Sequence, residues 1–418
     1  MSKMTLRDAA LRGRRVLMRV DFNVPIQGGK VADDTRIAAA MESIRYVLDN
    51  GGSLVLMSHL GRPEGKPEPK YSLKPAADRL SQLLGKPVGF APDCAGDAAL
   101  QMAQALKPGG VLLLENLRFH PEEEGKNPLP KDAPEDARKA AKAEMKKLQK
   151  EFAAKLARLG DVYANDAFGT AHRAHASISV VAEHFKERLS GFLMEKEIRY
   201  LGQALHNPAK PFVAIIGGAK ISDKIEVLNQ LMDKADAFLI GGGMAYTFYK
   251  AKGLPIGKSL LEPDKLDVAR EILGKAEKAG VKFLLPVDNV AADKFSADAN
   301  HKVVGESGIE DGWMALDIGP ATVKLFAAEI ARARTIVWNG PMGCFEMAPF
   351  ADGTMAIARA IAGNTGCTSI IGGGDSVSAV NKSGLAGRMT HISTGGGASL
   401  EFLEGKELPG VKVLSDKP

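Results

Sequence analysis

The 418-residue sequence contains only three cysteines, Cys94, Cys344 and Cys367. Their spacing matches no zinc-binding pair, and three thiols cannot build a disulfide framework. We therefore expect free, buried thiols of the kind found in a reducing cytoplasm. Apolar runs of membrane length are also missing, and the first residues, MSKMTLRDAALRGRRV, carry charges where a signal peptide needs an apolar stretch. The sequence therefore predicts a cytoplasmic protein without a membrane partner.

The sequence is also poor in aromatic side chains and has little excess charge. Aromatic residues make up 6% of it, and the formal net charge is +5. Binding to nucleic acid needs a basic stripe with interleaved aromatics, which is missing, so no nucleic-acid partner is expected. The weak positive balance suits arginines that surround small anions. The composition, with 45% hydrophobic and 25% charged residues, is typical of a globular protein, and the length predicts two domains.

Several familiar nucleotide-binding and catalytic signatures are incomplete or missing. The string KGLPIGKS ends like a phosphate-binding P-loop, but Lys252 occupies the position of its first glycine. The glycines near residue 373 do not complete a dinucleotide fingerprint, because Val377 replaces the third glycine. The sequence has no HRD or DFG string of protein kinases and no GxSxG elbow. A nicotinamide dehydrogenase remains an alternative. Tight binding of ADP, together with no binding of a nicotinamide cofactor, would exclude it.

Short apolar, β-rich runs alternate with helical patterns along the whole chain. This alternation predicts βαβ units around largely parallel sheets. The segment 191–207 has apolar residues at helical spacing and predicts one helix that bridges two domains. The charged stretch 121–159 predicts a solvated surface insertion that touches no functional segment. The predicted strands are 16–23, 53–60, 111–119, 161–168, 212–220, 237–244, 282–289, 335–342 and 368–376.

The ends of these strands differ between the two halves. Polar and charged residues end the first four strands, whereas glycines end most of the later ones. Ligands of open α/β sheets bind at the carboxyl ends of strands. The first half therefore suits a small, highly anionic metabolite held by guanidinium groups, and the second half suits a nucleotide.

Two glycine-rich segments, TSIIGGGDS at 368–376 and STGGGASLEFL at 393–403, each predict a strand followed by a helix. Glycine lets backbone N–H groups approach an anion, and a helix N-terminus favours negative charge. A tight turn without a ligand is the alternative for one such segment alone. Lys220 and Lys224 are predicted on one face of a helix that follows Gly217 and Gly218, where an anion would relieve their repulsion.

Candidate binding residues of the first half follow its strands. Each has a structural alternative: a solvated edge strand for Asp21 and Asn23, surface decoration for Arg36, and an exposed loop for His59 and Arg62. Arg118 interrupts an apolar pattern and needs an anionic partner. His172, Arg173 and His175 lie in NDAFGTAHRAHAS, where packing or anion contact is favoured over metal binding.

Taken in order, ten segments resemble those of the phosphoglycerate kinase family. They are RVDFNVP, SHLGRP, LENLRFH, NDAFGTAHRAHAS, GGAKISDK, IGGGMAYTF, LDIGP, WNGPMGCFE, GGGDS and STGGGASLEFLEGKELPGV. The resemblance implies two doubly wound, Rossmann-like domains with a hinge, 1–188 and 189–405, with 406–418 packing back on the first. It implies a monomer of glycolysis and gluconeogenesis that interconverts 1,3-bisphosphoglycerate plus ADP with 3-phosphoglycerate plus ATP, using Mg²⁺.

The resemblance also implies roles for individual residues. The triose phosphate site would comprise Asp21, Asn23, Arg36, His59, Arg62, Arg118 and Arg173. The nucleotide site would comprise Lys220, Lys224, Gly241, Ala315, Asn339, Glu346, Gly373, Gly374, Asp375 and Ser376. Asp375 matches the metal ligand and Glu346 the ribose contact.

Two nucleotide-site residues depart from the family pattern. Ser376 stands where many members have threonine, and Ala315 stands where glycine is frequent near the adenine.

The expected reaction needs no general base, because carboxylate and diphosphate oxygens are already ionised at neutral pH. The transferring group instead needs charge stabilisation, which we expect from Arg36, Lys220 and the N–H groups around Gly373, Gly374, Gly396 and Gly397.

Overall fold

The computed structural model describes residues 2–417, which form two compact units. Unit 1 comprises residues 2–198 and 407–417, and unit 2 comprises residues 199–406. Each unit is built around its own six-stranded parallel sheet. The predicted fold class of two doubly wound α/β domains is therefore confirmed.

The strands of unit 1 are β1 (Arg15–Arg19), β2 (Ile26–Gln27), β3 (Lys30–Val31), β4 (Ser53–Met57), β5 (Gly89–Phe90), β6 (Val111–Leu113), β7 (Val162–Asn165) and β8 (Arg188–Ser190). Its helices are α1 (Thr35–Asp49), α2 (Lys74–Leu84), α3 (Asp97–Gln104), α4 (Pro121–Glu124), α5 (Glu135–Ala157) and the first part of α6 (Phe192–His206). The main sheet has the order β5-β6-β4-β1-β7-β8. All five residues of β4 are buried, as expected for a parallel strand covered on both faces.

The C-terminal segment of the chain belongs to unit 1. The Gly410 N–H donates to Ala171 O at 2.8 Å, and the Ser415 N–H donates to Arg188 O at 2.9 Å. The Met4 N–H donates in turn to Ser415 O at 2.8 Å. These bonds tie both ends of the described chain to the edge of the sheet at β8.

The strands of unit 2 are β9 (Phe212–Ile216), β10 (Ala237–Ile240), β11 (Lys282–Leu284), β12 (Asp288–Ala292), β13 (His301–Gly305), β14 (Met314–Ile318), β15 (Thr335–Asn339), β16 (Thr368–Gly372) and β17 (His391–Ile392). Its helices are the second part of α6, α7 (Ile225–Leu231), α8 (Ala245–Ala251), α9 (Leu266–Ala279), α10 (Pro320–Arg332), α11 (Asp352–Gly363), α12 (Gly374–Lys382) and α13 (Gly396–Leu403). A short helix, α14 (Pro409–Lys412), lies in unit 1. The parallel sheet has the order β11-β10-β9-β15-β16-β17, and β13-β12-β14 form a separate antiparallel sheet.

All nine predicted strands exist, but each is shorter than predicted. The polar and glycine residues at their ends lie in loops, because these residues turn the chain towards the next helix. The predicted bridging helix is α6, and the boundary between the units falls within it.

Two sequence predictions about helices are wrong. Lys220 and Lys224 do not share a helical face, because 217–224 is a turn and α7 begins at Ile225. The charged stretch 121–159 contains a solvated helix, α5, but its beginning is not remote from the functional segments. The Glu123 side chain is fully buried and bonds to Ser177 of the segment NDAFGTAHRAHAS.

Cys94 is buried as predicted, whereas Cys344 and Cys367 are partly exposed. Among residues 2–417, no helix combines the length and the apolar composition that crossing a membrane requires.

Candidate active site

A polar network follows the carboxyl ends of β1 and β4 in unit 1. Arg36, in the first turn of α1, donates from Nη1 to Asp21 Oδ2 at 2.7 Å. The Asn23 Oδ1 accepts from the Gly61 N–H at 2.9 Å, and Gly61 O accepts from Arg118 Nη1 at 2.8 Å. Four predicted residues are thus held around one loop. The Arg36 side chain is 40% exposed, so its remaining donors can reach a ligand.

Gly61 is required at the centre of this network. Its φ of +62° lies in the left-handed region, and a Cβ here would fall 2.4 Å from the Tyr71 ring. Any other residue would displace the loop, and with it the backbone groups that hold Asn23 and Arg118. Arg118 itself lies in a 3₁₀ turn, Leu117–Phe119, and not in a strand as predicted.

A buried arginine lies beneath the network. Arg19, the last residue of β1, is 0% exposed, and its Nε donates to Ser177 Oγ at 2.9 Å. Its Nη1 donates to Val20 O, and its Nη2 lies 3.1 Å from His59 Nδ1. Ser177 Oγ donates in turn to Glu123 Oε1 at 2.6 Å, and Ser177 N donates to Glu123 Oε2 at 2.9 Å. The serine hydroxyl therefore links two buried, opposite charges.

The two buried histidines near this pair are neutral at neutral pH. Burial, followed by the charges of Arg19 and Arg118, holds the pKa of His59 well below its usual range. Because arginine only donates, His59 Nδ1 must accept, which leaves the proton on Nε2. Burial also lowers the pKa of His175 to about 3, and its Nδ1 lies 3.7 Å from Glu123 Oε1. Neither ring adds positive charge to the site.

Arg62 and Arg173, the other two predicted residues of unit 1, are exposed. Neither forms an ion pair with any residue in 2–417. With Arg36 and Arg118 they provide guanidinium groups that an anionic ligand can use.

In unit 2, the N-termini of α12 and α13 converge. Gly373 precedes α12 with a φ of +85°, and Gly396 begins α13. A Cβ on Gly396 would lie 3.4 Å from Gly374 N, so the two glycine-rich helix starts are in contact. The first N–H groups of both helices lack helical partners and carry partial positive charge. Two such ends side by side have the geometry and partial charge that suit an anion.

Lys224 and Asn339 lie next to these helix starts. Lys224 Nζ donates to Asn339 Oδ1 at 2.5 Å, at the carboxyl end of β15. Burial lowers the pKa of Lys224, while nearby Asp223, Glu404 and Asp375 oppose the shift. The buried Asn339 Nδ2 has no hydrogen-bond partner among the described residues. This amide can therefore donate to a ligand oxygen.

Ser376 and Lys220 differ in exposure. Ser376 is fully buried, and its Oγ accepts from Gly340 N at 2.6 Å. Its hydroxyl therefore holds the turn after β15 in this structure. Lys220 lies exposed in the turn before α7.

A cavity of about 520 Å³ opens beside the helix starts. Three predicted residues line it: Ala315, Glu346 and Asp375. Leu260 and Phe295, which the sequence analysis missed, also line it and are 60% and 67% exposed. Large apolar side chains rarely remain so exposed without a function, and a flat ring such as a nucleobase would cover them.

A buried carboxyl group supports the cavity wall. Asp317 accepts from Ile318 N at 2.9 Å through Oδ1 and from Gly353 N at 2.7 Å through Oδ2. Burial raises the pKa of Asp317 to about 7. A Cβ on Gly343 would fall 2.2 Å from Asp317 Oδ1, so glycine is needed where the cavity lining passes over this carboxyl.

Comparisons with known proteins agree with this geometry. The family model described as phosphoglycerate kinase matches residues 6–406. The phosphoglycerate kinase of Chloroherpeton thalassium is 56% identical over 418 residues, and that of Koribacter versatilis is 57% identical over 425 residues; the alignments cover 100% of each chain. The chain belongs to the phosphoglycerate kinase family. It is therefore an enzyme that transfers a phosphoryl group to a carboxyl group.

Solved structures of the family have the same fold. The phosphoglycerate kinase from Coxiella burnetii aligns with a TM-score of 0.85 at 40% identity, covering 98% of both chains. The enzyme from Pyrococcus horikoshii aligns with a TM-score of 0.79 at 34% identity, again covering 98% of both chains.

The structure brings most predicted residues to these two polar centres, one in each unit. Gly241 lies at the carboxyl end of β10, next to the cavity-lining Gly242. The sequence analysis missed Arg19 and Glu123. Arg19 interrupts the apolar run VLMRV, so the reasoning applied to Arg118 would have found it. Nothing in the sequence marks Glu123 among its acidic neighbours.

Proposed function

We propose that this enzyme catalyses reversible, Mg²⁺-dependent phosphoryl transfer from 1,3-bisphosphoglycerate to ADP, giving 3-phosphoglycerate and ATP. Its place would be in glycolysis and gluconeogenesis. The observation that carries the proposal is the contact between two glycine-rich helix N-termini beside Lys224 and Asn339 in a chain of this family. This arrangement suits the phosphates of a nucleotide.

Unit 1 would bind the triose phosphate. Arg36, Arg62, Arg118 and Arg173 offer guanidinium groups for phosphate and carboxylate, and bidentate contacts with such groups are strong. Asp21 and Asn23 would accept or donate hydrogen bonds at the substrate hydroxyl. His59, as a neutral imidazole with its proton on Nε2, would donate one further hydrogen bond.

Unit 2 would bind the nucleotide. Leu260 and Phe295 would contact the base, and Glu346 would contact the ribose. Lys220, Lys224 and the first N–H groups of α12 and α13 would contact the phosphates. Ser376 would act indirectly by holding the turn that carries Gly340.

Asp375 is the residue of this site that would hold the magnesium ion. Its carboxylate is exposed, lines the cavity in the first turn of α12 and forms no ion pair within residues 2–417. Mg²⁺ in nucleotide sites is held by one or two carboxylates together with phosphate oxygens. A single free carboxylate at this position fits that donor set. When bound, the ion would neutralise charge on the nucleotide phosphates.

The chemistry needs no general base, because the acceptor oxygens are ionised at neutral pH. Catalysis would come from positioning and from charge stabilisation of the transferring group by Arg36, Lys220 and the N–H groups of Gly374 and Gly397. The acyl phosphate and the nucleotide must also approach each other. The proposal therefore includes a hinge motion at α6. Small-angle scattering would test it, because the radius of gyration should become smaller when both substrates are bound.

A coupled assay of ATP-dependent 3-phosphoglycerate phosphorylation, with and without Mg²⁺, tests the proposal. We expect activity only with the ion. Arg36→Ala should lower kcat about 10²–10³-fold, the effect of losing one transition-state donor. Arg45→Ala, an exposed arginine on the same helix, is the matched control and should retain normal turnover. Full activity without Mg²⁺, or near-normal turnover of Arg36→Ala, would contradict the assignments.

We further propose that the enzyme is a cytoplasmic monomer. Its three free thiols suit a reducing compartment. Sedimentation analysis would test the monomeric state.

A further inference from the structure

Three metal-ligating side chains meet in unit 1, outside the proposed substrate site. Asp93 and Cys94 lie in the loop between β5 and α3, and His120 lies after β6. Strands β5 and β6 are parallel neighbours, so the loops at their carboxyl ends lie side by side. One ligand atom from each side chain lies within 4.8 Å of the other two. Asp93 and His120 are 27 residues apart, a separation that no short spacing motif detects.

The three side chains are arranged for a ligand that enters from solvent. Asp93 Oδ1 lies 2.7 Å from His120 Nε2, and these side chains are 40% and 32% exposed. Cys94 is fully buried and its thiol is free, and its sulfur lies within 4.8 Å of a ligand atom of Asp93 and of His120. A buried thiol therefore lies next to two partly exposed ligands.

Neighbouring groups hold this arrangement in place. The His120 ring stacks on the Phe152 ring, with centroids 5.0 Å apart and an interplanar angle of 28°. A Cβ on Gly96 would fall 2.8 Å from Asp93 Oδ2, so glycine leaves room for the carboxylate. Preorganised side chains lose little freedom on binding, which favours affinity.

We propose that Asp93, Cys94 and His120 form a binding site for a divalent transition-metal ion of the zinc class, with water as the fourth ligand. Sulfur and imidazole ligands favour Zn²⁺ or Co²⁺ over Mg²⁺, which prefers oxygen. This site is in unit 1 and is separate from Asp375 of unit 2. The Asp93 carboxylate and the Cys94 thiolate would together supply two negative charges, which balance the charge of a divalent cation.

Binding requires proton release. The thiol proton of Cys94 passes to water as the metal–sulfur bond forms. The proton on the His120 nitrogen that binds the metal moves through water to the other nitrogen of the neutral ring, and Asp93 binds as the carboxylate, so one proton is released per ion. Binding should therefore tighten as pH rises.

Titration of the full-length enzyme with Co²⁺ alone, after removal of metals, tests the proposal. We expect one ion per chain and a thiolate-to-cobalt charge-transfer absorption that Zn²⁺ abolishes and excess Mg²⁺ does not. Cys94→Ser should remove this absorption. His120→Asn should weaken binding at least tenfold, because loss of even an outer-shell partner costs about 10–100-fold.

Cys367→Ser, which changes a partly exposed thiol in unit 2, is the matched control and should bind Co²⁺ normally. If Cys94→Ser does not fold, zinc-edge X-ray absorption of the wild-type enzyme with one bound Zn²⁺ provides the same test and should show one sulfur ligand at about 2.3 Å. Absence of saturable Co²⁺ binding, a charge-transfer band that survives Cys94→Ser, or a bound zinc ion without a sulfur ligand would overturn the proposal.

Discussion

Replacement of Arg19 by methionine tests whether the buried charges beneath the unit 1 site depend on each other. Methionine fills a similar volume but removes the donors to Ser177, Val20 O and His59. Glu123, also 0% exposed, would lose the positive charge that lowers its pKa against the effect of burial. The variant leaves an uncompensated carboxylate in the core.

The expected loss of stability is large for a single substitution. Breaking a direct buried ion pair by removing one partner costs about 3–5 kcal/mol, because the other charge stays buried. Arg19 and Glu123 are joined through Ser177 Oγ, so we expect the lower end of this range. Removing both charges, as in Arg19→Met with Glu123→Gln, should cost less than Arg19→Met alone. By contrast, Arg15→Met on the same strand breaks a pair with Asp161, whose side chain is 43% exposed, and should cost at most about 1 kcal/mol.

The loss in Arg19→Met should also depend on pH. Burial raises the pKa of Glu123, and removal of Arg19 raises it further. When a carboxyl has a higher pKa in the folded state than in the unfolded state, the protein loses stability as the pH rises through the folded-state pKa. The destabilisation should therefore be smallest in acid and should grow towards neutral pH.

Urea unfolding at several pH values, followed by two signals, measures these effects. Both tryptophans, Trp313 and Trp338, lie in unit 2, so their fluorescence reports that unit. Far-ultraviolet circular dichroism reports both units. We expect the circular dichroism transition of Arg19→Met to move to lower urea, ahead of the fluorescence change. A loss below about 1 kcal/mol, or a double variant less stable than the single one, would refute the coupling.

Three further predictions concern unit 2. Gly373→Ala should raise the Kd for ADP about tenfold or more in calorimetry, because φ is +85° and the new Cβ would lie 3.2 Å from Asn339 Nδ2. Asp317→Asn should remove a loss of stability between about pH 4 and 7 that wild type shows by tryptophan fluorescence, since the pKa of Asp317 rises from 3.8 to about 7 on folding. Ser376→Ala should destabilise unit 2 by about 1–3 kcal/mol by leaving Gly340 N unsatisfied, whereas Ser376→Thr keeps the hydroxyl.

Each of these predictions has a control or a contrary outcome. Gly384→Ala also changes a glycine with positive φ, +71°, but has no atom within 4 Å of the new Cβ and should leave ADP affinity unchanged. A pH profile of Asp317→Asn that parallels wild type would assign the titration to another group. Equal stability of the Ser376→Ala and wild-type proteins would show that water replaces the hydroxyl.

Much of the fold and part of the site could be predicted from the sequence. Apolar runs that end in glycine or charge predicted nine strands that the structure contains, because burial on both faces demands such runs. The shorter or antiparallel strands lack such runs and were missed. The helix at Lys220 and Lys224 was predicted wrongly, since i, i+4 spacing indicates a shared face only where a helix exists. Arg118 was placed in a strand because the apolar run at 111–114 was extended to residue 119, although β6 ends at Leu113.

The sequence by itself determined the α/β class, the bridging helix and the segments that carry arginines and glycines, since these follow from local patterns of apolar and turn residues. Only the tertiary structure decided which of those segments meet. It placed the start of α13 against the start of α12, and it buried Glu123 opposite Arg19 through the Ser177 hydroxyl. Such contacts join residues far apart in the chain, and their energies depend on burial and distance, which spacing along a sequence does not specify.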